Sequence, residues 1–258
     1  MTEAMSIGAA SRTIIKSEAR VAVFVEGGIC TKEYRVPWHL RWREFYRRSR
    51  ARREFENLDA MAREGLPTIE VVSWSEKRRF GFTFESTLRT RFVESAQTVR
   101  SLLTHATAAD LVVAQRVGDI LRRIHEAGFV CNTASPRNWL LAPAEPRGQP
   151  EAAEAAIVPT LLLCDLPLVH RRPRSVVGTK EAMVDLYAAA LGESRRRETT
   201  AAWRRSFLAA YCRDDEDQIE KLQASGEAWT RRRFRFERDF GVAKAHLRRF
   251  AAWLMRAS

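Results

Sequence analysis

The feature that most restricts the fold is a single change of character near residues 86–90. Before it, short β-rich runs are broken by turn signals: RTIIK (12–16), RVAVFV (20–25), then ICTKEYR (29–35) after Gly27-Gly28. A Gly-Gly pair between two β-rich runs is a hairpin signal, because both residues tolerate the positive φ of a tight turn. Residues 41–64 hold no Pro or Gly and have helical composition, and Gly65 and Pro67 end them. TIEVVSW (68–74) and FGFTFES (80–86) read as two more strands. Beyond the change, helices dominate. Val113, Val117, Ile120, Leu121 and Ile124 recur at helical spacing through 108–127, and Gly128 is a stop. WLLA (139–142) and TLLLCDLPLV (160–169) read as apolar strands on either side of a Pro/Ala/Glu-rich insertion over 142–158. Helices follow near 179–191 and 199–212, with a basic helical stretch over 227–257. The expectation is an α+β chain in two parts: 1–86, an antiparallel sheet with one long helix, and 87–258, a helical part.

Composition excludes several classes. Hydrophobic residues make up 45%, enough for a packed core. No apolar run approaches the ~18–20 residues of a membrane span. The first residues lack a long apolar stretch, so the sequence predicts no export and a cytoplasmic protein. Cys30, Cys131, Cys164 and Cys212 are too scattered for a zinc pattern.

Charge points to a polyanionic partner. Lys plus Arg outnumber Asp plus Glu by 44 to 32, a net +12. Seven Arg crowd 41–53 against one Glu, and five crowd 231–238 against one Glu. Trp42, Phe45, Tyr46, Phe234 and Phe236 interleave with them, a mixture found in nucleic-acid grooves and at membrane interfaces. No zinc-finger, RNP or helix-turn-helix signature supports a basic nucleic-acid-binding protein, so that reading rests on charge alone.

Four residues stand in an order that carries chemistry. Lys32 lies in a strand, where a lysine ordinarily faces solvent. Glu54 falls inside the apolar arc of Ala51, Phe55, Leu58, Met61 and Ala62 at about 100° per residue. A carboxylate facing a core needs a cationic partner, and a strand lysine upstream supplies one. Asn138 sits on the loop after His125, and Asp165 ends an apolar strand. Their oxygens together suit a hard divalent cation.

This order, with the phrases ARREFENLDAMAREGLPT, IHEAGFVCNTASPRNWLL and CDLP, resembles the bacterial lipopolysaccharide-core kinase family (the Kdo and heptose kinases) of the protein-kinase-like superfamily. VDLYAAAL and AAWRRSFLAAY extend the resemblance to about residue 212. It implies a two-lobed protein-kinase-like fold, ATP and Mg²⁺ as cofactors, and phosphotransfer to a sugar hydroxyl of a lipopolysaccharide core. Lys32 would then hold nucleotide phosphates, Glu54 would hold Lys32, and Asn138 and Asp165 would hold metal. A hinge near 81–88, with Glu85, would meet the nucleotide. The implied partners are a nucleotide, an acidic glycolipid or other polyanion, and an anionic membrane surface on the inner face of the cytoplasmic membrane.

Three departures accompany it. The position of the catalytic Asp, five before Asn138, is Thr133; no Gly-rich loop precedes Lys32; and DFG is DLP. General-base catalysis is worth about 10²–10⁴-fold, whereas phosphoryl transfer rests mainly on positioning and charge neutralisation. Two readings stay open: a phosphotransferase, or a pseudokinase that binds nucleotide or a partner without turnover.

Overall fold

The computed structural model describes residues 12–18, 20–102, 107–132, 134–143, 160–191 and 200–225. Three strands open the chain: β1 (Thr13–Glu18), β2 (Val21–Glu26) and β3 (Ile29–Arg35). The Gly27-Gly28 hairpin forms as the turn signal predicts, with Glu26 opposite Ile29 and both glycines at positive φ. After helix α1 (Arg50–Arg63), strands β4 (Val71–Arg79) and β5 (Phe82–Arg91) complete an antiparallel sheet in the order β1-β2-β3-β5-β4. The fifth strand inserts between β3 and β4, so the lysine-bearing strand acquires a neighbour from much later in the chain.

The long helix expected over 41–64 is two elements. Trp38–Glu44 is a 3-10 turn, the chain reverses at Phe45 and Tyr46, and α1 begins only at Arg50. Ser49 sets that start, because its hydroxyl accepts from the Arg52 backbone N–H at 3.2 Å and satisfies one of the donors a helix leaves open. The expected strand 80–86 is also longer: β5 runs to Arg91, so the sheet extends past residue 86.

The helical part is built on α3 (Ala108–Glu126), which follows the short elements β6 (Gln97–Thr98) and α2 (Val99–Leu102). Thr107 and Asp110 close a capping box at its start. Gly118 lets α5 (Ala201–Cys212) approach: a Cβ there would lie 2.2 Å from the Phe207 carbonyl oxygen. Between them come β7 (Phe129–Val130), β8 (Trp139–Ala142), β9 (Thr160–Leu163), β10 (His170–Arg171) and α4 (Lys180–Leu186), which continues as one π-helical turn over Tyr187–Leu191. β7 pairs with β10, and β8 lies between β6 and β9. The basic stretches 231–238 and 227–257, and most of the insertion 142–158, lie outside the described residues.

One apolar core joins the two parts. Leu58, Met61, Leu66 and Ile69, from α1 and the segment after it, pack in the same cluster as Val117, Leu121, Leu163 and Phe207. Backbone hydrogen bonds reinforce it: Leu163 N–H donates to Pro67 O at 3.0 Å, and Ile69 N–H donates to Leu163 O at 3.1 Å. The GLPT phrase is therefore a short parallel bridge between the end of α1 and the strand that leads to Asp165.

Candidate functional site

Strand alternation turns Lys32 and Tyr34 to the same face of β3, and the apolar arc of α1 turns Glu54 toward them. Glu54 is 0% exposed, and both its oxygens are used. Lys32 Nζ donates to Oε1 at 2.7 Å and Tyr34 OH donates to Oε2 at 2.6 Å. Lys32 Nζ also reaches Asp165 Oδ1 at 3.4 Å, a residue 133 positions away. Burial alone drives an ammonium toward its neutral form. Here Glu54, then Tyr34 and Asp165, outweigh it and hold Lys32 above the ordinary lysine value. Burial and Glu54 push the Tyr34 phenol up as well, so it remains a donor.

Asp165 is placed by backbone geometry on both sides. It has φ +56°, a region a non-glycine residue enters rarely. Asn57 Nδ2 of α1 donates to Leu166 O at 2.8 Å, and the preceding Cys164 N–H donates to Asn138 O at 2.9 Å. That last bond, beside the Trp139–Leu163 pair of β8 and β9, sets Asn138 next to the Asp165 segment. Asn138 is buried at the end of a 3-10 turn, Pro136–Asn138. Cys164 between them is pushed up to about 12 by burial, against the pull of Lys32, and stays a thiol.

Arg50, at the first turn of α1, adds a second cation. Its Nη2 lies 3.6 Å from Asp165 Oδ1, and its guanidinium lies 4.7 Å from the centroid of the Tyr34 ring. Neither Arg50 nor Tyr34 is legible as a site residue in the sequence. The one signal is period: Tyr34 is two after Lys32 on a strand, and Arg50 is four before Glu54 on a helix.

A second buried cluster fixes the loop before Asn138. His125 Nδ1 lies 2.7 Å from Tyr211 OH, and Nε2 lies 3.3 Å from Asp185 Oδ2. With Nε2 protonated, the ring donates to the carboxylate and accepts from the phenol. Asp185 Oδ2 also accepts from the Cys131 backbone N–H at 2.6 Å, while Oδ1 has no hydrogen-bond partner among the described residues. At the other end of the loop Trp139 Nε1 donates to Ala134 O at 3.1 Å. Asp185 lies in the VDLYAAAL segment, where nothing local marks its carboxylate as an anchor. Thr133, between these anchors in the chain, lies outside the described residues.

Glu85 does not join the Lys32 cluster. It pairs across from Arg35 within β5 and accepts from Lys77 Nζ at 2.8 Å, which lowers its pKa. A hinge over 81–88 is corrected for the same reason: those residues are the β4–β5 turn and the start of an unbroken strand, and the chain leaves the sheet only after Arg91. Alternation through Leu88, Arg89, Thr90 and Arg91 is half polar, which hides the end of the strand.

Among the described residues no three His, Cys, Asp or Glu side chains gather as a metal site. The carboxylate of Asp165 and the carboxamide of Asn138 are nonetheless the hard oxygen donors that Mg²⁺ takes in ones and twos, with phosphate and water completing its shell.

No curated protein sequence matches the chain. Among solved structures it is similar to one titled WaaP in complex with acyl carrier protein, with a TM-score of 0.60, 16% identity, and coverage of 87% of this chain and 88% of that one. It is also similar to an aminoglycoside-3'-phosphotransferase of type VIII, with a TM-score of 0.51, 14% identity, and coverage of 83% and 92%. At such identities the likeness speaks to architecture, and the architecture is a two-lobed protein-kinase-like fold. The family model described as Lipopolysaccharide kinase (Kdo/WaaP) family matches residues 35–165, a span that begins three residues after Lys32 and ends on Asp165. That span is more than half of the chain, and the chain belongs to the lipopolysaccharide kinase (Kdo/WaaP) family.

Proposed function

We propose that this chain transfers a phosphoryl group from ATP, with Mg²⁺, to a sugar hydroxyl of a lipopolysaccharide core. The carrying observation is the convergence of Lys32, Glu54 and Asp165, drawn from a strand, a helix and a strand end, within hydrogen-bond range of one ammonium. Lys32 serves as the cation for nucleotide phosphates. Glu54, locked by Tyr34, aims it and keeps it charged. Asp165 and Asn138 are the oxygen donors for a divalent cation, which when bound neutralises phosphate charge. Arg50 shares Asp165 Oδ1 with Lys32 and so adds positive charge where phosphates would enter. Glu85 stays a proposed nucleotide neighbour only through its strand, since its carboxylate is held by Lys77.

The second reading, nucleotide or partner binding without turnover, is favoured by one residue: Thr133, whose hydroxyl cannot take a proton at neutral pH as a carboxylate does. One experiment separates the two. The purified chain is incubated with labelled ATP, Mg²⁺ and lipopolysaccharide-core glycolipid, beside Lys32→Ala and Asp165→Ala. Phosphate on the glycolipid from the parent alone supports transfer. A thermal shift with ATP analogue and Mg²⁺ but no transfer, followed by a large gain in Thr133→Asp, supports the pseudokinase. Neither shift nor transfer in the parent overturns both.

A further inference from the structure

The β4–β5 turn breaks a local rule, and the break marks a surface. Phe80 and Gly81 are the two central residues of a two-residue hairpin loop, with φ of +51° and +79°. Such a turn favours Asn-Gly, and a bulky side chain at positive φ is strained. The sequence places a phenylalanine there and leaves it 80% exposed. Its ring contact within the hairpin is the Arg79 guanidinium, 5.2 Å from the ring centroid.

Phe80 has company. Trp38 is 79% exposed and Tyr46 77%, with Trp42 and Phe45 also open to solvent. These five are the only exposed aromatics among the described residues, and they come from two neighbouring stretches. Tyr46 N–H donates to Gly81 O at 3.0 Å, the Phe45 and Phe82 rings lie 4.7 Å apart, and Arg78 Nη2 donates to the Arg47 carbonyl. Gly81 has no side chain because Phe45 and Tyr46 already occupy that space, with ring carbons 3.0–3.2 Å from where a Cβ would sit. Phe45, Tyr46 and Arg47, at the end of the 3-10 turn, are therefore packed onto the hairpin tip, which joins the two exposed aromatic stretches.

Its rim is basic. Arg41, Arg47, Arg48, Lys77, Arg78 and Arg79 flank the aromatics in the chain; Arg48, Lys77 and Arg78 are paired with Glu56, Glu85 and Glu76, while the Arg41 and Arg79 guanidinium groups lie over Phe84 and Phe80 at 4.0 and 5.2 Å. Exposed aromatic rings flanked by Arg are the chemistry of a bilayer interface: the rings sit at the headgroup level and the cations meet anionic lipid. We propose that the Trp38–Arg48 turn and the β4–β5 tip dock this protein on an anionic phospholipid bilayer. The inference stands on the surface itself and does not depend on whether the site turns over.

Co-sedimentation of the full chain with vesicles tests it. Binding to phosphatidylcholine–phosphatidylglycerol vesicles, and little to phosphatidylcholine alone, is expected. Trp38→Ser/Trp42→Ser/Phe80→Asn should lose at least ~10-fold in partitioning, since it removes buried interfacial area. Phe80→Asn alone separates surface from fold, because it restores the preferred turn. Its melting temperature should rise while its binding to anionic vesicles falls. The proposal is overturned if the parent ignores anionic vesicles, if it binds only single-stranded nucleic acid or an acidic protein, or if Phe80→Asn binds vesicles as the parent does.

Discussion

Two polar clusters, one around Glu54 and one around Asp185, are built differently. In the first, Lys32 is 14% exposed and Asp165 34%, while Glu54 between α1 and β3 is sealed. With Arg50 on Asp165, four charges meet there, and the end at Asp165 and Arg50 reaches solvent. In the second, His125 and Asp185 are both fully buried, with Tyr211 closing the third side. One carboxylate there holds a backbone N–H and a ring, and nothing faces water. An open ionic cluster can exchange partners with little rearrangement. A sealed one can only hold its loop or fail, because an unpaired polar group inside is expensive. Under the proposed function, the first arrangement serves binding and the second holds its scaffold.

The sharpest way to break this contrast is Asp185→Ala. It strips the Cys131 N–H and the His125 ring of a shared acceptor, and should cost about 2–5 kcal/mol, since each buried donor left unpaired costs about 1–3 kcal/mol. Chemical denaturation would read it. A loss below about 1 kcal/mol would show that the second cluster is no scaffold.

An intermediate effect is expected on the alkaline side. Lys32 and Tyr34 both keep their protons in the folded chain at a pH where the unfolded chain releases them. The folded state then binds more protons than the unfolded one, so stability falls as pH rises. Their contribution is whole below about pH 10 and is lost progressively above it. Tyr34→Phe, which should cost about 1.5–3 kcal/mol at neutral pH because it strips a buried carboxylate of a donor, ought to make that decline shallower. Urea midpoints on both sides of this pH test it, and an unchanged slope would remove Tyr34 from the cluster.

The smallest stability effect should come from Asp165→Ala. Its carboxylate is one-third exposed, so the change should stay within about 1 kcal/mol, while any stabilisation by ATP analogue with Mg²⁺ disappears. A large loss of stability in the absence of nucleotide would make the open cluster as structural as the sealed one.

Much of this was legible before any coordinates. The Gly27-Gly28 turn, the GLPT end of α1 and the i, i+4, i+7 pattern of α3 are short-range signals, and each lies where the sequence puts it. Glu54 facing inward followed from helical period alone. The places where the structure departs from the local pattern share a cause. Residues 41–48 have helical composition, yet Ser49 offers a better cap and the aromatics before it pack on the hairpin tip instead. β5 runs on to Arg91, past the expected hinge and through Glu85, because strand alternation on a half-polar face has no sharp end.

The sequence by itself determined the periods, the turns and the order Lys, Glu, Asn, Asp, because these depend on neighbours a few residues apart. Only the tertiary structure decided that Tyr34 would be the second ligand of Glu54, that Arg50 would share Asp165 with Lys32, and that Asp185 would hold the loop before Asn138. Those pairings span up to 133 residues. They depend on which strand enters the sheet between β3 and β4 and on how α1 is tied to β9, and no local preference encodes either.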